Sequence, residues 1–153
     1  MIKGRVWRRA MQVIGLFIIL GLGFFSYKGN QSQNMVIEST LNENQLGKCG
    51  PKPNCVSSFQ KKDEPSYITP YPVSFFSFKK ADTYFKDCSI KSQSEFYRHY
   101  NCSSRVFKFV DDLEIYFYNA QLYFRSASRV GHSDLGSNRK RVEGFKEFIK
   151  KGL

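Results

Sequence analysis

The N-terminal part of the chain contains one long apolar run between charged residues. Residues 10–27 read AMQVIGLFIILGLGFFSY and carry no charge, whereas Arg9 and Lys28 flank them. A helix over this run is roughly 27 Å long at 1.5 Å per residue, close to the thickness of a hydrocarbon core. We therefore predict a transmembrane helix over residues 10–27. A cleaved signal peptide is the alternative, but its cleavage site needs small residues where Phe24 and Phe25 stand here.

The charges on either side of this run predict its orientation. Residues 1–9 form a basic leader, and Lys and Arg in that position resist translocation, so we expect the leader in the cytoplasm. The pattern is typical of a single-pass protein of the cell (inner) membrane, with residues 10–27 in contact with the lipid bilayer. The rest of the chain then lies on the periplasmic or other extracytoplasmic side.

Beyond the apolar run, the chain divides into a polar segment and one folded unit. Residues 28–47 are rich in Asn, Gln and Ser, which predicts a tether. Residues 48–153 are enough for one small domain. The domain opens with KCGPKPNCVSS, whose prolines and glycine favour a stiff, irregular loop that we expect to continue to about Val73.

Two stretches of the domain have the three- and four-residue spacing of amphipathic helices. The first is expected to start at an N-cap, Ser74, and to run to about Lys86. Its apolar positions are Phe75, Phe78, Ala81 and Phe85. The second lies near the C terminus, and its apolar positions are Val142, Phe145, Phe148 and Ile149. Glu143 and Glu147 are spaced to pair with the lysines that follow them in this helix.

Between these helices the spacing of apolar residues changes to two, which predicts β-strands. Two alternating runs flank Asn119-Ala120, which fits the turn of a hairpin. A two-residue turn there gives the pairs Phe117–Leu122, Tyr116–Tyr123, Ile115–Phe124 and Glu114–Arg125. Further strand-like runs cover residues 88–91 and 96–110. We predict an α+β domain in which two helices cover one face of an antiparallel sheet. The other face would carry Glu114, Tyr116, Tyr123, Arg125 and Arg129.

Charge and composition narrow the possible partners. The net charge is +11, and the chain beyond residue 27 stays basic, because only four of the 24 Lys and Arg residues precede the run whereas all 13 acidic residues follow it. A basic domain attracts anionic lipid head groups, acidic polymers or nucleic acid. The chain has no recognised nucleic-acid motif, and the expected compartment is unsuitable, so we expect no nucleic acid. The remaining candidates are an anionic lipid, a glycan or an envelope protein.

The four cysteines are expected to form disulfides, because the predicted compartment is oxidising. Of the three possible connectivities, we favour Cys49–Cys55, which closes a short loop, and Cys88–Cys102, which ties neighbouring strands. A structural zinc site is the alternative, but neither spacing matches the usual short gap between paired ligands. The sequence also lacks a Cys-x-x-Cys redox motif. We predict no metal and no cofactor.

The densest polar stretch is RSASRVGHSDLGSNRKR, residues 125–141. As an anion site it would use arginine forks and the backbone N–H groups at a helix start. The candidate ligand-binding residues are Arg125, Ser126, Ser128, Arg129, Ser133, Asp134, Asn138 and Arg139, with Asp111, Asp112 and Glu114 in support. The equally weighted alternative is an internal network in which these arginines pair with the nearby carboxylates.

Catalysis is the minority hypothesis. Asp112 or Asp134 could act as an acid or base on a cell-envelope component, and His132 with Asp134 could form a general base pair. However, adjacent Asp residues in a strand point to opposite faces, so only one of Asp111 and Asp112 can enter a given site. The sequence contains no nucleophile elbow and no metalloprotease motif. We therefore lean away from an enzyme.

Three blocks of the sequence resemble the signature of one family. The blocks CGPKPNCVSS, FVDDLEIYF and RSASRVGHSDLGSNRKR are similar, in this order, to those of the bacterial and plastid-associated family called domain of unknown function 1499, over about residues 48–149. By position, its signature residues correspond to Cys49, Pro53, Asn54, Cys55, Ser57, Asp111, Asp112, Arg125, Ser126, Ser128, Arg129, Gly131, Ser133, Asp134, Gly136, Asn138 and Arg139. His132 replaces an expected tyrosine, and Cys88 and Cys102 lie outside the pattern. The resemblance implies an envelope-associated domain, often behind a membrane anchor or signal.

The function that we expect from the sequence is therefore a membrane-anchored binding or interaction module for an anionic envelope ligand or a partner protein. An enzyme that acts on an envelope component, and an accessory subunit of a membrane complex, remain alternatives.

Overall fold

One long helix precedes the folded domain. The computed structural model describes residues 2–152, with side chains from Trp7 onward, and helix α1 covers Ile2–Asn34. Its part Trp7–Asn34 is long and apolar enough to cross a membrane, and its apolar side chains are largely exposed. The predicted span, residues 10–27, lies inside α1. The helix continues for seven residues past Tyr27, where Ser32 bonds to Val110 and Arg129 of the domain, so tertiary contacts hold a segment whose Gly, Asn and Ser residues favour helix only weakly.

The domain is built on one antiparallel sheet. Its strands are β1 (Cys55–Ser57), β2 (Tyr71–Pro72), β3 (Ser89–Gln93), β4 (Tyr97–Ser103), β5 (Val110–Tyr118) and β6 (Gln121–Ser128). The strand order is β1-β6-β5-β4-β3, and β2 also pairs with β6. Helices α2 (Phe75–Tyr84) and α3 (Ser137–Lys150) contribute to the main core, which confirms the predicted α+β class.

The β5–β6 hairpin has the predicted register. Phe117 pairs with Leu122, and Glu114 pairs with Arg125. The two turn residues have positive φ angles, 47° at Asn119 and 55° at Ala120. A type I′ turn requires positive φ at both central positions, and its twist matches that of the flanking strands. Local sequence therefore determines this register.

The two predicted helices form, with small differences at their ends. Helix α2 ends at Tyr84, two residues before the predicted end, and the Ser74 side chain makes no capping hydrogen bond. On α3, Val142 and Phe145 are fully buried in the core, as the spacing predicted. The Lys146 Nζ atom lies 3.2 Å from Glu143, which is one of the predicted ion pairs.

The sheet differs from the prediction at its edges. The proline-containing segment was expected to be irregular up to Val73, but β1 and β2 both lie inside it and pair with β6. The edge of β6 offers unpaired backbone groups, and this long-range pairing overrides the local preference for a loop. The predicted strand 96–110 is also interrupted, because residues 104–109 leave the sheet as a loop.

Both predicted disulfides are present. Cys49 bonds to Cys55, the first residue of β1, and Cys88 bonds to Cys102 across the β3–β4 hairpin. The second bridge spans neighbouring strands, with 4.4 Å between the two Cα atoms.

Residues 28–47, which their polar composition predicted to be a tether, pack against the domain in two parts. Helix α1 includes the first part, and Ser32 is fully buried against the start of β5. Residues 39–47, which we call the strap, lie on the sheet face opposite the two helices, where Leu46 is buried beside Tyr97 and Tyr116. The strap packs there because a carboxylate in the middle of that sheet face requires hydrogen-bond partners, and the strap supplies them.

Candidate functional site

The sheet face under the strap is closed rather than open to a ligand. Glu114 is 0 % exposed. One of its oxygens accepts hydrogen bonds from the Thr40 N–H at 2.7 Å and the Tyr97 hydroxyl at 2.6 Å. The other accepts from the Thr40 hydroxyl at 2.6 Å and from Arg125 at 3.3 Å. Burial and the bond to Glu114 raise the pKa of Tyr97 far above its ordinary value. Arg125 is therefore a partner of Glu114 inside the fold.

A second buried cluster contains Arg129, Asp112 and His99. The Arg129 guanidinium donates to both oxygens of Asp112, at 2.7 and 2.8 Å, and His99 Nε2 lies 2.8 Å from the same carboxylate. Asp112 is only 2 % exposed. Burial alone would raise the pKa of Asp112, but the hydrogen bonds and charges of Arg129 and His99 outweigh it and lower that pKa. Arg129 also donates to the carbonyls of Ser32 and Met35, so it ties the end of α1 to the sheet.

A third network joins β5 and β6 to α3. Arg141 pairs with Asp111 at 2.7 Å, and the Ser128 hydroxyl donates to the same carboxylate at 2.5 Å. The Ser126 hydroxyl donates to the Asn138 side chain, which in turn donates to the Ser128 hydroxyl at 3.0 Å. Ser126, Ser128 and Asn138 are thus linked to each other, and the first and last are fully buried.

The start of α3 is occupied by a residue of the chain itself. The two oxygens of Asp134 accept hydrogen bonds from the backbone N–H groups of Gly136 at 3.0 Å and Asn138 at 2.7 Å. The anion-site hypothesis requires free N–H groups at Ser137 and Asn138. In the structure the Ser137 N–H donates to the Asp134 carbonyl, and the Asp134 carboxylate accepts the Asn138 N–H.

Arg139 differs from the other arginines of segment 125–141. Within residues 2–152 it has no carboxylate partner, whereas Arg125, Arg129 and Arg141 each pair with one. Its Nη2 donates to the backbone carbonyls of Pro65 at 2.6 Å and Tyr67 at 2.7 Å. Backbone carbonyls fix its position but do not neutralise its charge.

Arg139 lines a cleft of about 370 Å³ that we call the proline-loop cleft. Residues 50–53 of the loop closed by the Cys49–Cys55 disulfide form one wall, residues 64–66 form another, and the start of α3 forms the third. Its polar and charged lining residues are Lys52, Glu64, Ser66, Asp134 and Arg139. Two of the three sequence blocks that carry the family resemblance therefore meet in this cleft.

The structure separates the predicted site residues into two groups. Of the eight candidates, Asp134 and Arg139 line the proline-loop cleft. Ser133 lines a neighbouring cleft to which Asp134 also contributes. The others belong to the internal networks, as do all three supporting carboxylates. Lys52, Glu64 and Ser66 were missed. Lys52 had one sequence signal, a lysine held between two prolines inside a disulfide loop.

The described residues do not gather metal ligands. No group of three His, Cys, Asp or Glu side chains within the described part of the chain is arranged to hold an ion. His132, the histidine considered as a base, is exposed on the loop before α3.

These features define a class: a small α+β domain with a six-stranded antiparallel sheet, two helices on one face and an apolar N-terminal helix. The chain belongs to the family described as "Protein of unknown function (DUF1499)", whose model matches residues 45–148. The resemblance of the three sequence blocks is thereby confirmed. Neither the curated proteins nor the solved structures gave a match to this chain.

Proposed function

We propose that this chain is a membrane-anchored binding module of the cell envelope, whose proline-loop cleft binds an acidic glycan. In this proposal α1 crosses the cell membrane with the leader in the cytoplasm and the domain outside. The observation that carries the proposal is that Arg139, which forms no ion pair within the described residues, lines a cleft large enough for a sugar ring.

The guanidinium of Arg139 supports an anion as ligand. Both of its intramolecular bonds use Nη2, so within the described residues its Nε and Nη1 donors are available to a ligand. A guanidinium with free donors binds carboxylates and phosphates through charge-assisted hydrogen bonds. Lys52 lies exposed on the same cleft and adds positive charge at its rim.

The rest of the lining supports a ligand that also carries hydroxyl groups. Glu64 and Ser66 provide oxygens that accept hydrogen bonds from hydroxyls, whereas the charges of Glu64 and Asp134 repel a purely anionic ligand. An acidic sugar offers one anionic group for Arg139 and several hydroxyls for the acceptors. The prolines and the disulfide restrict the loop before binding, which reduces the entropy lost when a ligand is held.

The test is a calorimetric titration, in which oligogalacturonate is added to the purified full-length protein in detergent micelles. We expect Arg139→Gln to weaken binding by about tenfold to a hundredfold, the equivalent of a hydrogen bond to a charged group. Arg139→Lys keeps the charge but loses the planar fork, so its loss should be intermediate. A neutral cello-oligosaccharide is the ligand control and should bind weakly to the wild type.

Lys140→Gln is the matched control, because Lys140 is the exposed neighbour of Arg139 on α3 and does not line the cleft. It removes the same charge and should leave binding unchanged. Arg139 also holds Pro65 and Tyr67, so Lys52→Gln is a second test that does not disturb those bonds. Wild-type binding in both Arg139→Gln and Lys52→Gln, with unchanged melting temperatures, would exclude the cleft as an anion site.

The two carboxylates of the enzymatic hypothesis are less well placed. Asp112 is buried under Arg129 and His99, which closes it to a substrate. Asp134 faces the cleft, but both of its oxygens already accept backbone N–H groups. A binding role for the cleft therefore has stronger support than proton transfer by either residue.

A further inference from the structure

The loop between β4 and β5 exposes an apolar residue among cations. Residues 104–109 read SRVFKF, and Val106 is 78 % exposed between the exposed side chains of Arg105 and Lys108. Leu135, on the loop before α3, is 87 % exposed. Leu135 and Phe109 line a common cleft that also includes Phe25 of α1. We call residues 104–109 together with Leu135 the basal surface.

Direct contacts hold the basal surface against α1. The Phe25 ring lies 5.2 Å from the Phe107 ring and 6.4 Å from the Phe109 ring, centroid to centroid. Seven residues further along α1, the Ser32 hydroxyl accepts the Val110 N–H at 2.8 Å and lies 3.3 Å from the Val110 carbonyl. The domain is therefore not free to move away from the helix on a long linker.

These contacts fix the depth of the loop relative to a bilayer. Phe25 belongs to the uncharged run, and Lys28, the first charge after it, is one helical turn away, roughly 4.5 Å along the axis. The rings that contact Phe25 must lie near the end of the apolar run. That level in a membrane is the interface, where aromatic rings and the long chains of Lys and Arg concentrate.

We propose that the basal surface docks on the membrane that α1 crosses, with Val106 and Leu135 in the interface and with Arg105 and Lys108 on the phosphates of anionic phospholipids. Two exposed apolar side chains beside two exposed cations match the boundary between acyl chains and anionic head groups. The inference rests on the membrane anchor and is independent of ligand binding at Arg139.

The test places a single tryptophan on the surface of the full chain. Trp7 is the only tryptophan, so Trp7→Phe gives a silent background. Val106→Trp is then compared with the control Tyr118→Trp. Tyr118 is at the other end of β5, and the nine residues of this strand place it roughly 27 Å from Val110. Both variants are reconstituted in vesicles that contain dibrominated phosphatidylcholine. We expect bromine quenching and a blue-shifted emission for Val106→Trp only. Equal quenching in the two variants overturns the proposal.

The same quenching signal tests whether docking depends on the charge of the lipids. Vesicles of phosphatidylcholine alone are compared with vesicles that hold three parts phosphatidylcholine to one part phosphatidylglycerol. Anionic lipid should increase the quenching of Val106→Trp, and Arg105→Gln with Lys108→Gln should lower the docked-to-undocked ratio by about fivefold for each cation removed. If the quenching changes neither with the lipid charge nor on removal of the two cations, the head-group assignment is overturned. Arg139→Gln should leave the signal unchanged, which separates this proposal from the glycan site.

Discussion

Buried carboxylates determine what most of the arginines in segment 125–141 do. A carboxylate inside a sheet loses its hydration and is tolerated only with charged or hydrogen-bonded partners. Asp112 is paired with Arg129, and Glu114 with Arg125 and the strap residue Thr40. Arg139 bonds only to backbone carbonyls, and for this reason it is the arginine at which we propose ligand binding.

At the residue scale, Arg129→Gln should strongly destabilise the domain. It leaves Asp112 buried without its cation, and the expected loss of unfolding free energy is about 3–5 kcal/mol. Urea unfolding in detergent micelles, followed by circular dichroism, measures this loss. The control Arg105→Gln changes an exposed arginine and should stay within about 0.5 kcal/mol of the wild type.

Acid unfolding provides a second readout of the same pair. The pKa of Asp112 is lower in the folded chain than in the unfolded chain. The contribution of Asp112 to the free energy of unfolding is therefore complete above the unfolded pKa of about 3.9, and it disappears as the pH falls through the folded pKa. Without Arg129 the folded pKa rises, because burial then dominates. The acid midpoint of Arg129→Gln should therefore move to higher pH. An unchanged midpoint would mean that this ion pair does not govern acid stability.

At the scale of elements, the two disulfides secure structures of different kinds. The Cys88–Cys102 bridge joins paired strands of a hairpin, with 14 residues of sequence separation. The Cys49–Cys55 bridge, with a separation of 6, closes the loop that forms one wall of the proline-loop cleft. The first secures the sheet edge, whereas the second shapes the cleft.

Removing each bridge should therefore have different effects. Replacing Cys88 and Cys102 by alanine should cost about 3 kcal/mol of unfolding free energy, against about 2 kcal/mol for Cys49 and Cys55, because the longer loop restricts the unfolded chain more. Thermal unfolding measures both costs. Only the Cys49/Cys55 variant should also weaken oligogalacturonate binding. Equal binding losses in the two variants would point to global destabilisation instead.

At the scale of the whole molecule, a close contact joins α1 to the domain. Gly29 is buried, and a Cβ atom there would collide with the backbone carbonyl of Phe107. The absence of a side chain lets the loop approach the helix axis. The joint is completed by Ser32 and by the Arg129 bonds to the last turn of α1.

Gly29→Ala should therefore separate the loop from α1. We expect faster trypsin cleavage at Arg105 and Lys108 in micelles, because both residues lie on the loop that the collision displaces. Gly21→Ala is the matched control, since a Cβ at Gly21 meets nothing within 4 Å. Cleavage rates that are the same in both variants would show that the joint does not depend on the glycine.

Much of the fold follows from patterns that are local in the sequence. The β5–β6 register, the helix α3 and the apolar N-terminal helix depend on spacings and turns within about 30 residues, and each was predicted. The candidate site was predicted only in part. Asp134 and Arg139 lie in the polar stretch that was singled out, but the walls formed by residues 50–53 and 64–66 are distant in sequence.

The sequence by itself predicted the apolar N-terminal helix and the α+β class, favoured the two disulfides that form, and contains the cationic polar stretch. Tertiary structure decided which arginines are available, because pairing depends on carboxylates brought close by the sheet and not on order along the chain. It also turned the polar segment after Tyr27 into a helix end and a strap. Buried charges need partners, and only the folded chain determines which partners lie within reach.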